Sequence, residues 1–453
     1  MRIDGKFHLS DGLQVRKLIK NAPYKVRSIF DVTSNIYCPG IFQRHYTSSG
    51  TPFLGGADIQ KQSYDSGKYL KESTTPNHEI LAIKKSWTLV TCGGTVGETA
   101  FANRELAKCW VSQHVMRLIP DGIKPGMLYS YLATNEGKML LTTNTYGSVI
   151  PTLNSNSIGE LPIPEFPESF QQEVDDLIQE SARLREEAAD MLEKSKNLLK
   201  EKAGLDNLVS EDYDYYGHRS ADRKVSCFSI KQKEITTTTI NAFNYSRRIL
   251  NTKSKIQSTV PLKEVLLYND VFSTGSFPRV EVSGNNGIML INQSDIFDAI
   301  IKGKRISKRR VKTDNLVEYG EVLIAGVGTL GDSEKFCHVI FANEDLVGQL
   351  VSGEFIRMKT TKEVTSGYLF AWLDTDYGFR LIRNTQAGTK LCRPIPRMLL
   401  EIPVPLIDSD SMQEIDRLVR EAHTKRYQAN CNERKAISMV EKEIESWTTS
   451  KKN

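Results

Sequence analysis

The residues whose spacing first suggests chemistry are Gly326-Val327-Gly328-Thr329-Leu330-Gly331, a Gly-x-Gly-x-x-Gly run behind a β-rich segment. In a dinucleotide site such glycines open a helix whose N-terminus meets the pyrophosphate. Residues 336–341 instead continue as β-type residues, and the first half of the chain has only Gly93-Gly94-Thr95-Val96-Gly97 at the matching place. The pattern therefore predicts a tight turn between strands, where glycine lets backbone approach a phosphate, and no nucleotide cradle. The densest basic stretch, Lys302-Gly303-Lys304-Arg305-Ile306-Ser307-Lys308-Arg309-Arg310-Val311-Lys312, is either a solvated face or a contact for a polyanion.

Catalytic groups find no setting. Asn21-Ala22-Pro23-Tyr24 is one substitution from the Asn-Pro-Pro-Tyr loop of amino-methyltransferases, yet no glycine-rich cofactor loop precedes it. Glu136 with Lys138 and Glu433 with Lys435 form Glu-x-Lys pairs in helical contexts, where a nuclease would place them on a strand. The seven cysteines, at 38, 92, 109, 227, 337, 392 and 431, include no Cys-x-x-Cys and no nearby histidine pair, so no metal site is expected. Their odd number reads as reduced thiols of a cytoplasmic protein. The first ten residues lack a signal-peptide pattern and no eighteen apolar residues run together, which argues against secretion and membrane spanning. Because 60 Lys and Arg offset 55 Asp and Glu to leave +5, attraction for a polyanion must come from local patches. The expectation is a non-catalytic chain.

The elements that must position these residues come twice. Gly94-Thr95-Val96-Gly97-Glu98 recurs as Gly328-Thr329-Leu330-Gly331-Asp332, an offset of 234. Phe101-Ala102-Asn103-Arg104-Glu105-Leu106 recurs as Phe341-Ala342-Asn343-Glu344-Asp345-Leu346 at 240, so the second copy carries six extra residues in between. Val111-Ser112 matches Val351-Ser352 at the same 240, while Leu161-Pro162-Ile163-Pro164 matches Ile402-Pro403-Val404-Pro405 at 241. Gln172-Glu173-Val174-Asp175 then matches Gln413-Glu414-Ile415-Asp416, also at 241. Five blocks in one order at a nearly constant offset establish a duplication of a whole domain and its trailing segment.

Within each copy, short β-rich runs such as 87–91 and 321–325 alternate with Gly- and Asn-rich turns, and one helix is expected over 127–141 and over 368–382. The fold class is mixed α/β. From 170 to 205 no proline occurs and Glu, Lys, Ala, Leu and Arg dominate, which predicts a long helix. Leu177, Leu184, Met191, Leu198 and Leu205 recur every seven residues, with Val174, Ser181, Ala188 and Ser195 as the second column of a seam. The second copy starts the same seam with Ile415, Leu418 and Ala422 and resumes with Ile437, Val440, Ile444 and Trp447 one residue out of phase. These helices pair as an antiparallel coiled coil, or each lies as an ordinary amphipathic helix on its own domain. The expected layout is a globular domain at 14–168, a helix at 169–205, a polar linker at 206–241, a second globular domain at 242–408 and a final helix at 409–449.

Two variable domains, each ending in Leu-Pro-Ile-Pro or Ile-Pro-Val-Pro, then a Gln at 172 or 413 and a long helix, resemble the specificity subunit of type I restriction-modification systems. Thr51-Pro52-Phe53-Leu54-Gly55-Gly56-Ala57-Asp58-Ile59, echoed by 288–296, is similar to a segment such domains carry near their start. The resemblance implies two target-recognition domains that each read half of a split, asymmetric duplex DNA target. It also implies docking to methyltransferase and restriction or translocase subunits, which would hold the S-adenosylmethionine, ATP and Mg, so that this chain needs no cofactor. The alternatives are a specificity-like component of another phage-defence assembly, or a helical scaffold that binds protein.

Base reading needs planar donors and acceptors that match base edges. In the first copy the candidates are Arg44, His45, Tyr46, Gln113, His114, Asn144 and Tyr146, with Thr95 in the turn. In the second they are Arg279, Arg305, Gln349, Asn384, Gln386, Lys390 and Arg393, with Lys304, Lys308, Arg309, Arg310 and Lys312 as phosphate contacts.

Overall fold

Within a sheet proline is confined to edges, so the two proline-flanked blocks can only be edge strands. In the computed structural model, which describes residues 11–47, 49–145, 152–209, 228–330 and 335–449, that is their place. The chain divides into two compact units, residues 1–186 with 428–453 and residues 187–427.

The first unit contains β1 (Val26–Ser28), β2 (Thr33–Tyr37), β3 (Thr51–Leu54), β4 (Tyr69–Leu70), β5 (Thr88–Thr91), β6 (Thr99–Phe101), β7 (Trp110–Val111), β8 (Val115–Pro120) and β9 (Pro162–Pro164). Strand β9 pairs antiparallel with β1, while β2, β8, β5 and β6 form a four-stranded antiparallel sheet in that order. Strand β3 lies between β4 and β7, antiparallel to the one and parallel to the other.

The second unit repeats this plan with β10 (Thr259–Pro261), β11 (Gly287–Ile291), β12 (Lys304–Ser307), β13 (Val322–Ala325), β14 (Val339–Phe341), β15 (Leu350–Val351), β16 (Phe355–Met358), β17 (Gln386–Ala387), β18 (Arg393–Pro394) and β19 (Pro403–Pro405). Strand β19 pairs with β10, β13 sits between β14 and β16, and β11 is antiparallel to β12 but parallel to β15. The mixed α/β class is thus observed in both units. The counterpart of β2 has shrunk to a bridge between Phe272 and Arg357.

Among the described residues, the helices of eight or more residues are α1 (Asp11–Lys20), α2 (Pro125–Ala133), α3 (Asn135–Thr143), α4 (Glu168–Lys202), α5 (Arg247–Ser254), α6 (Ser366–Leu373), α7 (Asp376–Asn384) and α8 (Ser409–Thr449). The single helix expected over 127–141 is two, α2 and α3, and its counterpart over 368–382 is α6 and α7. Thr134 takes extended dihedrals at the break and its hydroxyl accepts from the Gly137 amide at 2.9 Å, a side-chain N-cap that hydrophobic periodicity does not reveal. A Cβ at Gly137 would sit 2.2 Å from the Tyr131 carbonyl, and at Gly378 2.5 Å from that of Trp372, so the sharp corner requires glycine in both units.

The repeated Asp also finds its reason. Asp175 accepts from the Gly126 amide at 2.6 Å and Asp416 from the Gly367 amide at 2.8 Å, each carboxylate holding the N-terminus of the short helix packed on its long one.

Antiparallel pairing of the long helices is visible within each unit. In the first, the Ser181 hydroxyl donates to the Ala429 carbonyl at 2.9 Å, while Val174 and Ile178, earlier on α4, share a core with Ala436, Val440 and Ile444, later on α8. In the second, Lys425 lies 2.9 Å from Glu187, and Ala188, Leu192 and Leu199 share a core with Ile415, Val419 and Ala422. Val174, Ser181, Ala188 and Ser195 form one buried column as expected.

The other column is displaced by one residue from the leucine heptad: Ile178, Arg185, Leu192 and Leu199 fill it. Leu177, Met191 and Leu198 are half-buried on its flank, Leu184 is buried beside it, and Leu205 lies beyond the helix. Small residues in the seam permit the close approach that the Ser181 bond records, and this pushes the leucines outward. Gly204 ends α4 at φ 62°, with the Leu205 amide donating back to Lys200 at 2.8 Å.

In α8 the column Ile415, Ala422, Ala429 and Ala436 keeps strict sevens, so the seam is continuous, and the one-residue slip inferred from Ile437 is corrected because Ile437 is only half-buried. Leu418, Val440 and Ile444 are buried as expected. Between Ala422 and Ile437 the apolar pattern lapses because this stretch holds Asn430 and Glu433, which take hydrogen bonds from Arg185 and, for Glu433, from Tyr129 at 2.5 Å.

Strand β14 and α6 sandwich one ionisable ring. The ring of His423 on α8 lies 4.9 Å from that of Phe341, tilted by 30°, and meets Phe370 edge-on, and its Nε2 is buried without a hydrogen-bond partner. Burial, with repulsion from Arg426, holds its ionisation well below the ordinary histidine range. The unfolded chain therefore takes up a proton near pH 6.5 that the folded chain refuses, and stability falls as pH drops below that value, by about 1.4 kcal/mol per pH unit. His423→Leu is expected to flatten this slope between pH 7 and 5 in urea melts; an unchanged slope would assign the acid sensitivity elsewhere.

Candidate nucleic-acid interface

In the first unit, chain reversals at one end of the four-stranded sheet gather several polar residues. After β2 the chain runs through the half-buried Arg44 and the exposed His45 and Tyr46, and between β7 and β8 it places the half-buried Gln113 and the exposed His114. An Arg44 terminal nitrogen donates to Gln113 Oε1 at 2.7 Å, and Gln113 Nε2 is 3.3 Å from His114 Nε2. The turn after β5 adjoins them, since a Cβ at Gly93 would lie 2.8 Å from His114 Nδ1. Thr95 is exposed at that turn, where Gly94 holds φ 82° with open space beside it. Arg44, His45, Tyr46, Thr95, Gln113 and His114 are therefore neighbours along one rim.

Asn144 is not among them. It is buried, donates to the Ser157 carbonyl at 2.7 Å and accepts from Arg16 at 3.3 Å, so it is corrected to a structural residue at the end of α3. Tyr146 lies outside the described residues.

In the second unit Lys304 and Arg305 are exposed on β12, and Lys308, Arg309 and Lys312 follow on the adjoining turn and loop. Lys304 is 2.5 Å from Glu281 and Arg305 donates to the Gly287 carbonyl at 3.2 Å, which leaves further donors on each. Arg310 belongs to the same turn, but its side chain lies outside the described residues. Lys390 and Arg393 are exposed on the hairpin made by β17 and β18, and Arg279 is exposed on the loop before β11.

Three second-copy candidates are corrected. Asn384 and Gln386 are each 2% exposed, and the Asn244 side chain donates to the Gln386 carbonyl at 3.0 Å while that of Asn384 donates to the Asn244 carbonyl at 3.2 Å. They lock the end of α7 to the segment before α5 and cannot reach a base. Gln349 is half-buried and accepts from the Met289 amide at 3.1 Å, bracing β11.

The glycine run behaves as a turn as far as it is described. Gly326 donates to the Glu354 carbonyl, Gly328 bridges Cys392, no helix lies between β13 and β14 among the described residues, and β14 returns antiparallel to β13; Gly331 lies outside the described residues. No group of three or more His, Cys, Asp and Glu capable of holding a metal occurs among the described residues, and no helix among them is long and apolar enough to cross a membrane. Six cysteines are free thiols, and Cys227 lies outside the described residues.

Each rim is anchored by a buried arginine that hydrophobic patterning could not disclose. Arg117 on β8 donates to the carbonyls of Ser112 at 3.0 Å, Val115 at 2.6 Å and Leu81 at 3.1 Å, and also to that of Val111. Burial pushes its guanidinium down to about 10, with Tyr37, Cys38 and Cys92 opposing that shift. Arg357 on β16 instead binds Glu321 at 2.8 Å and the carbonyls of Asn315 and Leu316. The signal was present in the repeat, since both arginines stand at the offset of 240.

With this geometry in hand, comparison with known proteins is direct. Residues 21–179 match the family described as Type I restriction modification DNA specificity domain. Over that stretch of the first unit the chain is similar to this family, the one its sequence resembles. Among solved structures, the chain is similar to the type I restriction-modification S subunit from M. genitalium, at 12% identity over 94% of this chain and 96% of that one, with a TM-score of 0.37. It is also similar to the HsdS subunit from Thermoanaerobacter tengcongensis, at 11% identity over 93% and 97% of the two chains, with a TM-score of 0.29. No curated protein matches the chain.

Proposed function

We propose that the whole chain is a non-catalytic DNA specificity subunit whose two units each read one half of a bipartite, asymmetric duplex target. In this reading α4 and α8 hold the half-sites a set number of base pairs apart. Methyltransferase and restriction subunits dock on the chain and bring the S-adenosylmethionine, ATP and Mg, so no cofactor binds here.

The observation that carries the reading is the repetition of one strand topology in two units, each bearing exposed polar and basic loops, in a chain whose residues 21–179 match a DNA specificity domain family. The first unit offers guanidinium, carboxamide and imidazole groups, which suit base edges, and the second offers the guanidinium of Arg279 with the exposed Lys308, Arg309 and Lys312, which suit phosphates.

Selection from random duplexes by the full-length chain, purified with the subunits that accompany it, should return a gapped motif with two unlike halves. An ungapped or featureless motif would overturn the reading. Changing Lys308, Arg309 and Arg310 together to Ala should weaken binding to all sequences alike and reduce the salt slope of log affinity by roughly 0.9 per lost phosphate contact, about 2.7 in all. Unchanged affinity and slope would remove this turn from the interface.

A further inference from the structure

The duplication reaches into the rims in a way that the candidate residues, taken singly, conceal. In the first unit Tyr37 on β2 pairs with the buried Arg117, and the chain then passes through Phe42-Gln43-Arg44. In the second, Phe272 bridges the buried Arg357, and the chain passes through Phe277-Pro278-Arg279. Tyr37 and Phe272, Phe42 and Phe277, and Arg44 and Arg279 all stand at one offset, 235.

The arginines also sit alike. The Arg44 guanidinium lies 5.8 Å from the Phe42 ring and the Arg279 guanidinium 5.6 Å from the Phe277 ring, each arginine resting on the phenylalanine two residues before it. Each loop walls a cleft, one of about 340 Å³ lined by Phe42 and His45 but not by Arg44, the other of about 410 Å³ lined by Phe277 and Arg279.

They differ in what braces the guanidinium. Arg44 lies over Phe53 as well, at 5.1 Å, and donates to Gln113 at 2.7 Å. At the offset of 240 that joins the arginine strands, Gln113 and His114 correspond to Gly353 and Glu354, and both of these line the second cleft. A Cβ at Gly353 would lie 3.1 Å from the Gly275 carbonyl, so glycine there admits the Arg279 loop and removes the carboxamide.

We propose that Arg44 and Arg279 are the equivalent base-reading residues of the two units, each taking the O6 and N7 edge of a guanine in duplex DNA, and that Gln113 makes Arg44 the more discriminating reader. The inference rests on the specificity-subunit reading. A guanidinium has five donors in a fixed fork, so one can bind Gln113 while two remain for guanine. Ring and carboxamide set the plane of the fork before DNA arrives, so Arg44 has less freedom to lose on binding than Arg279, and a wrong base leaves an already oriented donor pair unmatched.

The test is duplex selection with the full-length chain and its accompanying subunits, comparing wild type with Arg44→Ala, Arg44→Lys, Arg279→Ala and Gln113→Gly. Arg44→Ala is expected to erase a guanine preference of about tenfold or more at one position of one half-site, leaving the other half-site intact. Arg279→Ala should do the same in the other half-site. Arg44→Lys should lose the preference while keeping the salt slope, because it retains charge without the fork, and it also serves where the alanine variant folds poorly. Gln113→Gly should lower the preference at the Arg44 position several-fold and change nothing in the other half.

A wild-type motif that survives Arg44→Ala unchanged, or weakens uniformly with a reduced salt slope, overturns the assignment and leaves the broader reading standing. Both arginine variants altering one half-site overturns it too. A wild type that selects no motif sinks the broader reading itself.

Discussion

Adding one heptad to each long helix, in the same seam phase, is expected to abolish recognition of the native target and to create recognition of a target whose gap is about three base pairs longer. Seven residues extend a helix by about 10 Å, and duplex DNA rises about 3.4 Å per base pair. A full heptad keeps Val174, Ser181, Ala188 and Ser195 in one column and Ile415, Ala422, Ala429 and Ala436 in the other, so the helices can still pair. If α4 and α8 set the gap, affinity for the original target should fall toward that for random DNA, on the order of 10³-fold or more. The half-sites themselves should be unchanged in sequence. Insertion into α4 alone should fail outright, because it throws Arg185 out of reach of Glu433. Duplex selection on the extended chain is the measurement; an unchanged gap would mean that the helices do not measure DNA.

The same helices show what the sequence disclosed and where its signals stopped. The duplication and the mixed α/β class were legible because they repeat residue identities, and the long helices because proline is absent over thirty residues and more. The seam was legible to within one residue only. Heptads of Leu177, Leu184, Met191 and Leu198 carry the strongest hydrophobic signal, whereas a close-packed antiparallel pair buries its small residues and leaves larger ones on the flank. Polar seam residues such as Arg185, Asn430 and Glu433 read as interruptions until their partners are known.

For the rims the limit is different. The rim residues proposed to meet bases and the buried structural amides share one chemistry, so Asn144, Asn384 and Gln386 could not be told from Arg44 or Gln113 by residue type. Burial and backbone partners decide between them, and those depend on chain segments more than a hundred residues apart, such as Asn244 and Gln386.

Glu321→Ala is expected to destabilise the second unit by about 3–5 kcal/mol, although Glu321 touches no proposed DNA contact. Glu321 and Arg357 are both 1% exposed in their side chains and joined by two hydrogen bonds of 2.8 Å. Truncation leaves a guanidinium buried between β13 and β16 with the Asn315 and Leu316 carbonyls, which orient it but do not neutralise it. Glu321→Gln should lose less, because a carboxamide oxygen can still accept one of the two bonds.

The first unit shows that the carboxylate can be replaced if the surroundings change with it. Trp87 stands at the place of Glu321, and Arg117 is instead ringed by four carbonyls. Those acceptors supply negative ends of dipoles from fixed backbone, so no second charge has to be desolvated. Replacing both partners in the second unit, Glu321→Leu with Arg357→Met, should therefore recover most of the stability lost by Glu321→Ala, since a well-packed apolar pair leaves no buried charge. Hydrogen exchange of the β13 amides reports this unit separately from the first, and the expected order of protection is wild type, double variant, Glu321→Gln, Glu321→Ala. A Glu321→Ala chain within about 1 kcal/mol of wild type would show that the carbonyls alone can hold Arg357, as they hold Arg117.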